Sequence, residues 1–184
     1  MLTHKGTQTL RTSRLTLRRF AQGEAEIMYR NWASDDEVTR FLTWPAHASV
    51  AVSETVLDDW LANYIRDDYY QWAIVFEGEP IGSIAVVSQN DSLEKAEIGY
   101  CIGKKWWHRG IMSEALGAVI HYLFTEVGMQ RIESRHDPRN PHSGDVMRKC
   151  GMTFEGTHRR ADRNNQGICD ASCYAILADE YERK

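Results

Sequence analysis

Glu97-Ile-Gly-Tyr-Cys-Ile-Gly-Lys-Lys-Trp-Trp-His-Arg-Gly-Ile-Met-Ser-Glu-Ala-Leu116 changes its period half-way along. As far as Ile102 it alternates, with Ala96, Ile98, Tyr100 and Ile102 on one face and Glu97, Gly99 and Cys101 on the other, the pattern of a strand. From Gly110 onward Met112, Leu116, Val119, Ile120, Leu123 and Val127 recur at helical spacing until Gly128 stops them. A strand that feeds a short loop and then the start of an amphipathic helix is a candidate anion site, the plainer alternative being an ordinary helix start, since many helices begin this way. The first turn of the helix offers unpaired N–H groups and the positive end of the dipole. Gly110 lets a diphosphate come close to the backbone, and Arg109 adds a charge-assisted donor.

Working outward, the short strand Arg131–Arg135 completes a strand, helix, strand unit. Such a unit places its two strands parallel with a right-handed crossover. Upstream, Trp72, Ile74 and Phe76 alternate, Gly78, Glu79 and Pro80 turn the chain, and the apolar run Ile81–Val87 returns it, which predicts a hairpin. Further back, the spacing predicts a strand over 15–20, a helix over 24–33, a loop around Pro45 and a helix over 53–67. Downstream, Asn140 as N-cap and Pro141 as first helical residue start a short helix that Gly151 ends. Strands over 152–160 and 168–177, joined by a polar turn over 162–167, close the chain.

With 184 residues, 42% hydrophobic and 26% charged, the sequence reads as one compact domain over 1–184. It contains no apolar run of about 18 residues, and its first fourteen residues carry no signal-peptide apolar segment. A cytoplasmic protein with no membrane partner is expected. The net charge of −4 argues against nucleic-acid binding and fits a cationic partner better. Acidic clusters at Asp35-Asp36-Glu37, Asp58-Asp59 and Asp67-Asp68 either attract an amine or are simply solvated helix ends. Cys101, Cys150, Cys169 and Cys173 show no Cys-x-x-Cys spacing, and the seven histidines form no ligand motif, so no metal is expected.

The order of elements and a set of short motifs resemble the GNAT superfamily of acyl-CoA-dependent N-acetyltransferases. The wording is most similar to its RimJ/RimL-type branch, which includes ribosomal-protein N-terminal acetyltransferases. The motifs are Glu97-Ile98-Gly99-Tyr100, Trp107-His108-Arg109-Gly110, Glu114-Ala115, Asn140-Pro141-His142-Ser143, Lys149-Cys150-Gly151-Met152 and Glu155-Gly156. The likeness runs from about Arg14 to Tyr181. It implies an α/β (α+β mixed sheet) fold: a central twisted, mostly antiparallel sheet with a parallel splayed strand pair around the cofactor, flanked by about four helices.

The resemblance implies acetyl-CoA as co-substrate and an amine as acceptor; a homodimer is compatible with it, with no residue assigned to the contact. Tyr100 and Ile102 would pair with pantetheine through their backbones, Trp107, His108, Arg109, Gly110, Ile111, Met112 and Ser113 would form the pyrophosphate loop, and Asn140 would position the cofactor. Two departures from the superfamily pattern stand out: His108 where a glycine is usual after Trp107, and Met112 where a glycine or alanine is usual. Acyl transfer needs a neutral amine and a proton for the departing thiolate. Glu97 is the candidate base, and the alternative for it is a strand glutamate paired with a Lys or Arg. The tyrosine that many members use as acid is replaced by Met147, so Ser143 is the candidate acid and also a cofactor contact. For both Ser143 and Asn140 the plainer role is local helix capping. Trp32, Phe41, Trp44 and Asp170 are the candidate substrate residues, with core packing or turn bracing as their alternatives. The acceptor implied is a protein N-terminal α-amine; a small amine such as a polyamine or aminoglycoside, or a non-catalytic acyl-CoA sensor, are the alternatives.

Overall fold

The computed structural model describes residues 2–181. Its central strand, Gln71–Phe76, shows why the sheet lies between two layers of helices. Trp72 and Ile74 pack into one apolar cluster and Ala73 and Val75 into a second on the opposite face, none of them more than 8% exposed. A strand that is apolar on both faces needs cover on both.

Eight strands form one sheet: β1 (Leu10–Arg11), β2 (Leu15–Arg18), β3 (Gln71–Phe76), β4 (Glu79–Asn90), β5 (Lys95–Ile102), β6 (Arg131–His136), β7 (Thr153–Asn164) and β8 (Gly167–Leu177). Their order is β1-β2-β3-β4-β5-β6-β8-β7, antiparallel throughout except for the β5–β6 pair. This is the mixed sheet with one parallel pair expected from the sequence.

On one face lie α4 (Ile111–Tyr122), which continues as a π-helical turn to Val127, and α5 (Pro141–Lys149). Leu116, Val119, Ile120 and Leu123 are all fully buried there, so the helical stripe read from the sequence is the stripe that packs on the sheet. The other face carries α1 (Ala25–Met28), prolonged by a π-helical turn through Ala33, then α2 (Asp36–Thr39) and α3 (Val50–Asn63). A final turn, α6 (Ala178–Tyr181), follows β8.

The helix count and two of the boundaries differ most from expectation. Among the described residues there are six α-helices, not about four. The extra two, α2 and α6, are single turns too short to show a period. The helix expected over 53–67 occupies Val50–Asn63 instead. It ends early because Tyr64 turns into the second core, where its hydroxyl donates to the carbonyl of Gln71 and accepts from the N–H of Phe20. The polar stretch 162–167 is mostly strand: Asp162, Arg163 and Asn164 pair with Cys169, Ile168 and Gly167, leaving only Asn165 and Gln166 as the turn. As the edge strand, β7 is exposed along most of its length, so polar residues stand where an interior strand would alternate.

Candidate active site

The parallel ladder is short. Lys95, Ala96 and Glu97 pair with Arg131, Ile132 and Glu133, and beyond Glu97 the strands separate although β5 runs on to Ile102 and β6 to His136. Ser134 reaches across the start of the gap, its hydroxyl donating to the carbonyl of Ile98 at 2.8 Å. Backbone polar groups alternate sides along a strand, so those of Tyr100 and Ile102 share the Ile98 edge and face the gap. The carbonyl of Ile102 is taken by the indole N–H of Trp107 at 2.9 Å, which ties the loop to the strand and removes that oxygen from the set available to pantetheine.

A cavity of about 670 Å³ fills the gap and continues under α3, a size that suits a cofactor-sized molecule. Every residue expected to hold acetyl-CoA lines it: Tyr100, Ile102, Trp107, His108, Arg109, Gly110, Ile111, Met112, Ser113, Asn140 and Ser143. Gly110 caps α4 in the left-handed region (φ 71°), and among the described residues no side chain takes the N–H groups of that first turn. An uncapped N-terminus of a twelve-residue helix, open to a cavity, is the donor set that a diphosphate requires, so these residues fit the group. Arg109 stacks over Phe76 at 5.5 Å, while His108 meets His142 edge-on at 4.8 Å. His142 and Lys149 line the same cavity and were not anticipated; being on α5, they reach the loop only through the fold.

Of the two departures from the family pattern, Met112 is absorbed by the core, where it is 7% exposed. His108 is different, because it sits at φ 59°, where a side chain costs about 1–2 kcal/mol and glycine costs nothing. His108→Gly is expected to raise Tm by about 2–4 °C per kcal/mol of strain relieved. A fall in Tm in differential scanning calorimetry would show that the His142 contact outweighs the strain.

Glu97 lies at the last rung of the ladder, opposite a register shift in β4 between Val86 and Ser88. Bulges of this kind re-aim strands beside functional sites. Its side chain is 18% exposed, and one carboxylate oxygen is 3.1 Å from Nε of Arg135, which is equally close to Asp162. Burial raises the Glu97 pKa, Arg135 opposes it, and Glu133 and Asp162 add to the rise; the net shift is upward. The ion pair foreseen as the plainer alternative is therefore present, but it does not overcome desolvation.

Across the gap, Ser143 stands in the first turn of α5. Its hydroxyl oxygen accepts from the side-chain amide of Asn140 at 3.1 Å, and its carbonyl accepts from the Tyr100 hydroxyl at 3.0 Å. Asn140 occupies the N-cap position, yet its side chain caps no backbone N–H. Simple capping is thus corrected for both residues: their side chains bond each other at the cavity wall. Met147, where the family tyrosine would stand, is 1% exposed core.

Residues 14–153 match the family model described as Acetyltransferase (GNAT) domain. The chain belongs to the GNAT acetyltransferase family. It is an acetyl-CoA-dependent N-acetyltransferase. The uncharacterized N-acetyltransferase YoaA of Bacillus subtilis is 29% identical over 170 residues, covering 91% of this chain and 96% of that protein. The [ribosomal protein uS5]-alanine N-acetyltransferase of Escherichia coli is 38% identical over 65 residues, 35% of this chain and 34% of that one. The solved structure of RimL, a ribosomal L7/L12 alpha-N-protein acetyltransferase in complex with coenzyme A, aligns with a TM-score of 0.84 at 20% identity, covering 94% of this chain and 99% of that chain, a likeness of fold.

In this GNAT acetyltransferase the face of β5 that carries Glu97 opens towards α2 and α3. Phe41 and Trp44, two of the candidate substrate residues, line the cavity there. Two expectations are corrected. Trp32 is 1% exposed within the second core and does not reach the cavity, because the π-helical turn rotates it inward against Phe20. Asp170 also lies away from it: its carboxylate accepts the N–H of Arg160, a residue at φ 52° in the irregular part of β7. Within the acidic clusters, Asp35 caps α2, Glu37 pairs with Lys104 and Asp68 pairs with Arg66.

Asp137, Asp162 and Asn164 were missed and complete this wall. Their signal is only tertiary. Asp137, its side chain 2% exposed, is held well below the usual carboxylate range by bonds from the Arg139 guanidinium, and it also accepts from Asn164. Asn165 at the hairpin tip then clamps the opposite loop, its side chain donating to the carbonyls of Thr39 at 2.8 Å and Trp44 at 2.7 Å. Asn165→Ala should free that loop and raise the amine KM several-fold while leaving the acetyl-CoA KM in place. Steady-state kinetics with each substrate varied in turn checks this; equal rises in both would refute a role confined to the amine wall.

Among the described residues no helix is long and apolar enough to cross a membrane, and no cluster of His, Cys, Asp and Glu is arranged to hold a metal.

Proposed function

We propose that this chain acetylates the N-terminal α-amine of a protein, of the ribosomal-protein type. The observation that carries the reading is Glu97, a half-buried carboxylate with a raised pKa at the point where β5 and β6 part, beside a cavity that runs on past Phe41 and Trp44. The names of the Escherichia coli uS5-alanine and ribosomal-protein-serine acetyltransferases support the acceptor class.

In this reading, backbone N–H groups from Arg109 to Ser113 hold the diphosphate and the free edge of β5 holds pantetheine. Acetyl-CoA supplies the acyl group as a thioester. Glu97 takes a proton from the acceptor ammonium, directly or through one water, leaving a nucleophilic lone pair on nitrogen. The new C–N bond forms as the C–S bond breaks; the surplus proton left on nitrogen passes to water, and the thiolate takes a proton from the Ser143 hydroxyl, which water restores. Ser143 faces the departing sulfur; because its oxygen already accepts from Asn140, its own O–H is left to donate to the cavity side. Tyr100, kept neutral by burial, holds the Ser143 backbone in place.

The test is release of free thiol from acetyl-CoA in the presence of peptides with free N-termini, and separately of polyamines and aminoglycosides. Turnover on peptides is expected. Turnover confined to the small amines would overturn the acceptor class, and cofactor binding without turnover on any amine would turn the reading into a sensor.

A further inference from the structure

Gln71, the first residue of β3, is 6% exposed and its side-chain nitrogen has no hydrogen-bond partner. A desolvated amide donor left unpaired costs about 1–3 kcal/mol, so a buried orphan in a native structure calls for a reason. Disorder is not that reason. The backbone N–H of Gln71 donates to Thr7 Oγ at 2.9 Å and its carbonyl accepts from the Tyr64 hydroxyl at 2.8 Å, so both main-chain polar atoms are fixed by side chains. Only the side-chain amide is left over, and Gln71 lines the large cavity.

The register shows where in the cavity it stands. Gln71 is the cross-strand neighbour of Ala85, and Ala85 of Gly99, in one row across β3, β4 and β5. Glu97 lies on the same face, two residues before Gly99. Ala85 and Gly99 leave the floor between them low, and a Cβ on Gly99 would come within 2.8 Å of Val87. Trp60, Val38 and Phe41 are apolar members of the same cavity lining. Along this face of the cavity lie the Glu97 carboxylate and, further on, a neutral amide donor. Two strand spacings and two residues separate their backbone positions by about 12 Å, the length of three or four residues of extended chain.

We infer that Gln71 is a specificity-determining residue whose side-chain N–H donates to a peptide carbonyl oxygen about three residues behind the amine being acetylated. The inference rests on the acceptor class proposed above and sharpens it. An amide N–H takes an oxygen acceptor, which a peptide supplies at every residue. A polyamine is protonated at neutral pH, so its nitrogens have no lone pair to accept with and it gains nothing from this group. Substrate would complete a hydrogen bond that the free protein lacks, so reach along the peptide becomes affinity.

Gln71→Met keeps the volume and removes the donor. The measurement is kcat/KM on C-terminally amidated peptides of two and five residues that share the same first two residues, beside Tm of the free protein. The wild type should prefer the longer peptide. The variant should lose about 3- to 10-fold of that preference, through KM of the longer peptide. Its Tm should rise by about 2–6 °C, since an unpaired buried donor has gone. An unchanged length preference overturns the assignment, and so does a fall in Tm or failure to fold, which would mark the amide as structural. Silence of the wild type on both peptides overturns the acceptor class and this inference together; turnover with an unchanged preference overturns the Gln71 assignment alone.

Discussion

Glu97→Gln is expected to lower kcat by about 10²- to 10⁴-fold while the dissociation constant of acetyl-CoA stays at the wild-type value. The isosteric amide keeps the shape of the strand edge and removes the proton acceptor. Arg135 retains Asp162 as a partner, so the guanidinium is not stranded. In the wild type the acid limb of the kcat/KM profile should lie above the ordinary carboxylate range, since burial raises the Glu97 pKa more than Arg135 lowers it. The same shift predicts a stability effect of known sign. With its folded pKa above its unfolded one, Glu97 favours folding at low pH, and that contribution is lost as pH rises through the folded value. Glu97→Gln should therefore be more stable than wild type at neutral pH, with the gap closing on acidification. Thermal melts from pH 4 to 8 read this. A variant within about tenfold of the wild-type rate would remove Glu97 from the chemistry.

Ser143→Ala carries the second large effect, a fall in kcat of about 10²-fold or more if its hydroxyl protonates the departing sulfur. The substitution is structurally mild. Alanine is a good helix former, and the Ser143 hydroxyl caps no backbone group; its partner is the Asn140 side chain. The backbone bond from Tyr100 to Ser143 survives the change. Acetyl-CoA affinity by calorimetry should consequently move little while the single-turnover rate falls. A rate within about threefold of wild type, with affinity unchanged, would leave the thiolate to be protonated by solvent.

Much of the cofactor end was legible before folding was considered. Period two up to Ile102 and helical period from Gly110 locate the strand, the loop and the helix start, and the anion site follows from their junction. The loop conformation is also written locally, in Gly110 and in His108, which adopts the glycine-like φ that its position demands. The amine end was not legible in the same way. Trp32 and Phe41 are both aromatics near the first helices, yet one is core and the other lines the cavity. Aromatic identity carries no direction, and a π-helical turn of five residues is enough to rotate Trp32 inward. Asp162 and Asn164 read as turn residues and are strand, because an edge strand shows no alternation from which to place its end.

The sequence by itself carried the motifs on which the family is recognised. Its periodicities located the junction of β5, loop and α4 and the strand, helix, strand unit that makes β5 and β6 parallel, since each of these rests on neighbours within a few residues. Tertiary structure alone decided what surrounds the chemistry. The Arg135–Glu97–Asp162 contact joins β5, β6 and β7, the clamp of Asn165 joins residues more than a hundred positions apart, and Gln71, whose side-chain nitrogen is buried and unpaired, lines a cavity whose other walls come from distant segments of the chain. Burial and pKa depend on the solvent that distant segments exclude, and no local pattern encodes which segments those will be.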